Sequence, residues 1–234
     1  MLNLPPESEV SRLRQDLDKI LVQISNDPNV LSHQEEILST WYASPFIKRV
    51  CIAQPQFLQL LLASNDLHKN FNLDDYQQLL ADCFQEVDGI ESIQKKLRQK
   101  RVAAYARIAW RDLHQYSTTP QVLSELSFFA EACVQGALQW CFEWYQSVAG
   151  ADDFVSTLSQ NIFIFGLGKL GGGELNFSSD IDIVFACSDP SDATQENFDQ
   201  DHYAKASEFY LKVVQLLIKV LSEQTQDGFV FRVD

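Results

Sequence analysis

The sequence is short of positive charge. Eighteen Lys and Arg stand against 32 Asp and Glu, a net charge of -14 over 234 residues with a pI near 4.6. Neutralising nucleic-acid phosphates takes Lys and Arg, so unaided nucleic-acid binding is disfavoured, and so is docking on an anionic membrane. Cysteine is sparse and scattered: Cys51, Cys83, Cys133, Cys141 and Cys187 form no Cys-x-x-Cys pair, and the four histidines share no metal-ligand spacing with them. No disulfide framework or zinc site is expected, and a reduced, cytoplasmic compartment is the simplest one. No run of about 18 apolar residues occurs, so no transmembrane helix is expected. Residues 1–7 lack the basic and apolar stretches of a signal peptide. Glycine is scarce as well, at nine residues, so a cluster of glycines carries information. With 46% hydrophobic and 21% charged residues, the composition is that of a globular chain and not a disordered one.

Apolar positions at helical spacing predict helices over 7–25, 32–43, 46–50, a segment opened by Gln54-Pro55, then 74–86, 90–116 and 119–148. Thr119-Pro120 is a cap followed by proline in the first turn, and Gly150 is read as the stop. The character then changes. Residues 161–165 are apolar, short and rich in β-branched and aromatic side chains, which predicts a buried strand. A glycine-rich turn leads to a second strand over 180–185, a polar loop over 190–197, an amphipathic helix over 198–224, a turn at Asp227-Gly228 and a third strand over 229–234. The expected fold class is α+β, with a helical domain over 1–118 and a smaller α+β domain over 119–234. Because the third strand has no closing element, the chain is expected to be an N-terminal piece of a longer protein, with its second domain truncated.

The chemistry is concentrated between Phe165 and Phe185. Gly166, Gly168 and Gly171 match G-x-G-x-x-G, but only about eight residues separate Gly171 from the next strand, whereas a parallel crossover needs about a dozen or more. A dinucleotide fold fails on that length, and a P-loop fails for want of Gly-Lys-Ser/Thr. Asp180-x-Asp182 is more informative. Side chains two apart on a strand share a face, so the two carboxylates project together while Ile181 and Ile183 go inward. Such a pair repels itself, and a divalent cation relieves the repulsion; hard oxygen ligands suit Mg²⁺ or Mn²⁺. A third strand lying beside the second would add Asp234, with Arg232 on the same face. Three carboxylates around one or two metals suit phosphoryl transfer. Gly168 and Gly171 to Gly173 let backbone N–H groups approach phosphate oxygens, and Lys169 and Ser179 are candidate side-chain contacts.

The string from Gly168-Lys169-Leu170-Gly171 to Ser179-Asp180-Ile181-Asp182 resembles the nucleotidyltransferase signature of the DNA polymerase β superfamily. More narrowly, residues 168–185 resemble the bifunctional glutamine synthetase adenylyltransferase/adenylyl-removing family, which carries Lys where the wider superfamily often has Ser or Gly. The resemblance extends upstream to Arg107–Leu113 and downstream to Phe231-Arg232-Val233-Asp234. It implies a helical leader followed by a polymerase β-like nucleotidyltransferase domain. The position of the motif and the Phe-Ser-Ser-Asp-Ile-Asp wording resemble the N-terminal, deadenylylating half of that family.

The implied reaction is phosphorolysis. Inorganic phosphate attacks the AMP phosphorus on the adenylyl-tyrosine of glutamine synthetase, releasing ADP and free tyrosine. The implied metal set is Asp180, Asp182 and Asp234 with Mg²⁺ or Mn²⁺. The implied phosphate and nucleotide contacts are Gly168, Lys169, Gly171, Gly172 and Ser179, with Arg232 either assisting or acting as a local ion-pair partner of the aspartates. The resemblance also implies binding of ADP or ATP and, in the whole enzyme, control through glutamine and the PII signal protein. Two other classes remain: a non-catalytic nucleotide- or partner-binding regulatory module of the same fold, and a nucleotidyltransferase of another substrate class. Retention of all three aspartates favours the enzyme; the acidity disfavours an RNA substrate.

Outside that stretch, Lys95, Lys96, Arg98, Lys100, Arg101, Arg107 and Arg111 are the one basic concentration. They are read as a solvated helix face, with a contact surface for an acidic partner or nucleotide as the alternative. Phe128, Phe129, Trp140 and Trp144 are expected in the core, and Cys187 is expected to be a packing residue.

Overall fold

The computed structural model describes residues 2, 6–85, 89–149, 162–189, 200–225 and 228–234. The expected stop at Gly150, the start of the first strand at Asn161, the polar loop 190–197 and Asp227 of the last turn lie outside the described residues. The fold is α+β and mostly helical. The helices are α1 (Glu7–Gln23), α2 (Pro28–Ser32), α3 (Gln34–Ala43), α4 (Pro45–Ala53), α5 (Pro55–Ala63), α6 (Leu73–Phe84), α7 (Ile90–Leu113), α8 (Thr119–Ala149), the single turn α9 (Gly168–Gly171) and α10 (Gln200–Ser222). A 3-10 turn spans Asp66–His68, and the strands are β1 (Ile162–Gly166) and β2 (Ile183–Cys187). No helix among the described residues is long and apolar enough to cross a membrane.

The chain divides into two compact units: residues 1–71 with 100–126, and residues 72–99 with 127–234. The helices α7 and α8 each contribute to both.

In the first unit, short helices start where the sequence supplies caps. Asp27 accepts from the N–H groups of Asn29 and Val30 at 2.9 and 3.3 Å, and Pro28 occupies the first helical turn. Ser44 accepts from Ile47 N at 3.3 Å ahead of Pro45. Proline suits that place because its missing N–H would have no helical partner. Leu13, Leu17 and Ile20 of α1 pack into a core with Ile37, Trp41, Val50, Leu58 and Trp110.

The basic stretch does not form a solvated face. Arg107 and Arg111 are buried in the first unit, and both point at the buried Glu125 of α8. Arg107 Nη1 donates to Glu125 Oε2 at 2.6 Å, and Arg111 Nη1 pairs with Oε1. Other guanidinium donors reach backbone carbonyls and one side-chain amide: Arg107 Nε and Nη2 donate to Asp66 O at 3.0 and 2.7 Å, Arg111 Nε donates to Leu67 O at 3.0 Å, and Arg111 Nη2 donates to Asn70 Oδ1. A buried charge demands this kind of full pairing. The cluster ties residues 66–71 to α7 and α8.

In the second unit Arg98 is likewise buried and donates to Glu223 O at 3.2 Å. Gln94 Nε2 reaches Lys219 O and Glu223 Oε2, both at 2.9 Å, so the first half of α7 is tied to the C-terminal end of α10. The side chain of Lys96 donates to Asp82 O and Gln85 O at 3.1 and 3.2 Å, satisfying carbonyls at the end of α6. Phe129 and Trp140 are buried as expected, while Phe128 and Trp144 are half-buried. Cys187 departs from expectation: it ends β2 and is exposed.

Candidate functional site

β1 and β2 pair antiparallel, with Gly166 opposite Ile183 and Ile162 opposite Cys187. The expected second strand thus starts later than its sequence suggests, and residues 180–182 precede it. They pair instead with the last residues of the chain. Ile181 N donates to Arg232 O at 2.9 Å, Asp234 N to Ile181 O at 3.0 Å, and Ile183 N to Asp234 O at 3.1 Å. This is a parallel register, with Ile181 bridged to Val233. The expected third strand is present only as this short pairing. Val230 and Phe231 are both buried, and both N–H groups donate to Leu221 O, at 3.0 and 2.9 Å. The end of α10 therefore claims the start of that segment before it can join the sheet.

The register places Asp180 beside Arg232 and Asp182 beside Asp234. Ile181 and Ile183 are buried, Asp182 and Asp234 are exposed, and Asp180 is half-buried, which is the alternation of a pleated strand. Arg232 Nε forms an ion pair with Asp180 Oδ1, and Arg232 Nη2 lies 3.5 Å from Ser178 O. Arg232 is therefore an ion-pair partner of Asp180 in this structure. Asp180 Oδ1 is closed off from solvent, and the guanidinium pairs with it without an aligned hydrogen bond.

The glycine turn leans against this carboxylate face. Leu167 N donates to Asp182 O at 2.8 Å. Gly168 has φ +52°, and a Cβ there would lie 2.8 Å from Asp182 Oδ2. A Cβ on Gly171 would lie 2.3 Å from Gly166 O, so glycine is required for the turn to fold back on β1. The N–H groups of Gly171, Gly172, Gly173 and Glu174 already donate to carbonyls of residues 167–170. This leaves the first residues of the turn, Gly168 and the exposed Lys169, to face solvent. Ser179 is half-buried; its hydroxyl accepts from Asn176 N at 3.4 Å, and its own N–H donates to Asn176 O at 3.2 Å, so it serves the local turn.

Ser127 was not legible as a site residue. This buried α8 side chain accepts from Leu175 N at 3.0 Å and anchors the segment between the glycine turn and the aspartates. A cavity of about 570 Å³ lies along β1, between Val134 and Leu138 of α8 and the turn residues Leu170 and Gly171.

Hard carboxylate oxygens suit a divalent cation, and two observations fit one here: the unsatisfied buried oxygen of Asp180, and the space beside Asp182 that a side chain at 168 would fill. Among the described residues, no group of three or more His, Cys, Asp or Glu side chains is gathered closely enough to hold a metal. Asp180 is instead ion-paired with Arg232.

A family model described as glutamate-ammonia ligase adenylyltransferase matches residues 34–234, the span that holds the turn, the aspartates and the buried Arg107–Glu125–Arg111 cluster. The chain belongs to this family. It is similar to the bifunctional glutamine synthetase adenylyltransferase/adenylyl-removing enzyme of Nitrosococcus oceani, at 35% identity over 196 residues, covering 83% of this chain and 20% of that protein. The enzyme of the same name from Thioalkalivibrio sulfidiphilus is 30% identical over 243 residues, covering 100% of this chain and 24% of that protein. That of Idiomarina loihiensis is 34% identical over 206 residues, with 87% and 21% covered. The chain thus spans about a fifth to a quarter of the length of these glutamate-ammonia ligase adenylyltransferase relatives.

Proposed function

We propose that this chain carries a nucleotidyltransferase site of polymerase β-like fold that removes AMP from adenylylated glutamine synthetase by phosphorolysis. The observation that carries the reading is the parallel register of 180–183 with 232–234, which sets Asp182 beside Asp234 next to the glycine turn. Similarity to enzymes named for acting on glutamine synthetase supports the substrate class. In the reaction an oxygen of inorganic phosphate attacks the AMP phosphorus. The bond from phosphorus to the tyrosine oxygen breaks, the tyrosine regains its proton, and the AMP unit leaves as ADP. Phosphate is already an anion at neutral pH, so the site needs positioning and charge compensation more than a base.

Asp180, Asp182 and Asp234 would hold Mg²⁺ or Mn²⁺, which supplies charge neutralisation for the phosphate oxygens when bound. Lys169, on the exposed first turn of α9, offers a point charge to those oxygens. Gly168 leaves Asp182 room to turn. Leu167 N, by holding Asp182 O, fixes the turn and the carboxylate strand as one piece. Control through the PII signal protein and a cytoplasmic location belong to the same proposal.

The test is to incubate the chain with adenylylated glutamine synthetase, phosphate and Mg²⁺ and to follow nucleotide release. Phosphate-dependent formation of ADP is expected. Release of AMP independent of phosphate, or no release, would contradict the reading.

A further inference from the structure

We propose that Arg232 is a placeholder for the divalent cation: its guanidinium holds Asp180 in the metal-free chain, and a metal must displace it for Asp180 to join Asp182 and Asp234. This inference rests on the metal reading of the three aspartates.

The contact has the properties of a temporary one. The Arg232 and Asp180 side chains are 58% and 35% exposed, and an ion pair that open to water is only weakly held. The Asp180 oxygen it faces is shut off from solvent yet receives no aligned hydrogen bond, so a better-fitting cation has something to gain there. The second contact, to Ser178 O, is long at 3.5 Å. The backbone of Arg232 is fixed more firmly than its side chain, because Arg232 O accepts from Ile181 N at 2.9 Å. The guanidinium can therefore leave without disturbing the register that sets Asp234 beside Asp182. It has somewhere to go: its carbon already lies 5.8 Å from the centre of the Phe229 ring.

The electrostatic consequence is direct. With Arg232 in place, the face carries three carboxylates and one guanidinium. One positive charge a few ångströms from an incoming dication opposes it, and the opposition disappears when the charge is removed. Once displaced, the guanidinium is free to meet phosphate oxygens, a ligand it binds through paired donors.

Calorimetric titration of Mn²⁺ alone into the wild-type chain and into Arg232→Gln, Arg232→Lys and Asp182→Asn tests this. The glutamine variant is expected to bind Mn²⁺ about 5- to 10-fold more tightly than wild type. The lysine variant should stay close to wild type, and Asp182→Asn should bind weakly or not at all. Circular dichroism checks that each variant is folded. If Asp182→Asn loses Mn²⁺ while Arg232→Gln binds no more tightly than wild type, the metal site stands and the placeholder is overturned. A lysine variant as tight as the glutamine one would overturn it too, since charge would not be the cause. If no chain binds Mn²⁺, or Asp182→Asn binds as well as wild type, the metal reading itself falls and the placeholder with it.

Discussion

Gly168 and Asp182 are fitted to each other: the first has φ +52°, and a Cβ on it would come within 2.8 Å of the second's Oδ2. Alanine at 168 would have to take a left-handed conformation and push the carboxylate aside. Gly168→Ala is therefore predicted to cost about 1–2 kcal/mol from the backbone alone. It should also weaken Mn²⁺ binding, because the displaced group is the proposed ligand. Urea denaturation and metal titration on the same variant check both effects; unchanged metal affinity would separate the turn from the site.

Glu125 pairs with both Arg107 and Arg111, through one carboxylate oxygen each, and all three are buried. Glu125→Ala leaves two buried guanidinium groups without their counter-charge and is predicted to destabilise the first unit by roughly 3–5 kcal/mol. Asp16, paired with Lys19 at 3.0 Å and Lys48 at 2.8 Å in a more exposed setting, offers a contrast. Asp16→Asn should cost under about 1 kcal/mol. Denaturant midpoints of the two variants test the difference.

His114 gives a pH dependence. Its Nε2 lies 2.7 Å from Thr40 Oγ1, and the single Thr40 hydroxyl proton goes to Glu36 O, also at 2.7 Å, so His114 donates to Thr40. Burial holds the imidazole below its ordinary value of 6.5, against the opposing pull of the Glu36 carboxylate. As pH falls, the unfolded chain takes up the proton first, near 6.5, and the folded chain only at the lowered value. The stability owed to neutral His114 is thus complete above 6.5 and is lost as pH falls through the folded pKa. Melting temperatures between about pH 5 and pH 7.5 should fall less steeply towards acid in His114→Gln than in wild type. Parallel curves would contradict the assignment.

The cysteines separate by burial. Cys51, Cys83, Cys133 and Cys141 are buried, and Cys187 is exposed. Desolvation pushes the thiols of Cys51 and Cys141 up to about 12, which removes their reactive thiolate at neutral pH. An aromatic disulfide reagent should label one thiol quickly in the native chain, and Cys187→Ser should abolish that phase. Two or more fast thiols in wild type would show that a buried cysteine is accessible.

The helices were legible because their apolar stripes and caps are local. α8 begins where the proline indicates, although Thr119 is its first helical residue and Thr118 O, accepting from Val122 N at 3.0 Å, takes the cap position; α6 is opened by a reciprocal capping pair of Asn72 and Asp75, at 3.0 Å each way. The two aspartates of the D-x-D motif could be placed on one face because strand alternation has period two. Non-local pairing was harder to read. Nothing near Arg107 or Arg111 in sequence announces that Glu125, 18 and 14 residues on, will bury them both. The third strand looked continuous from its β-branched and aromatic pattern. The carbonyl of Leu221 takes two of its N–H groups and confines sheet pairing to its last residues. Arg232 stood between two roles in the sequence, and the register that sets it beside Asp180 makes the ion pair.

Asp182, Asp234 and the glycine turn are proposed to form a metal-dependent nucleotide site. The most direct measurement is a titration of ADP, in the presence of Mn²⁺, into the 234-residue chain and its Asp182→Asn variant. Metal-dependent binding by the wild-type chain, and its loss in a variant that remains folded, are expected. Equal binding by the two chains, or binding by neither, would contradict the proposed site.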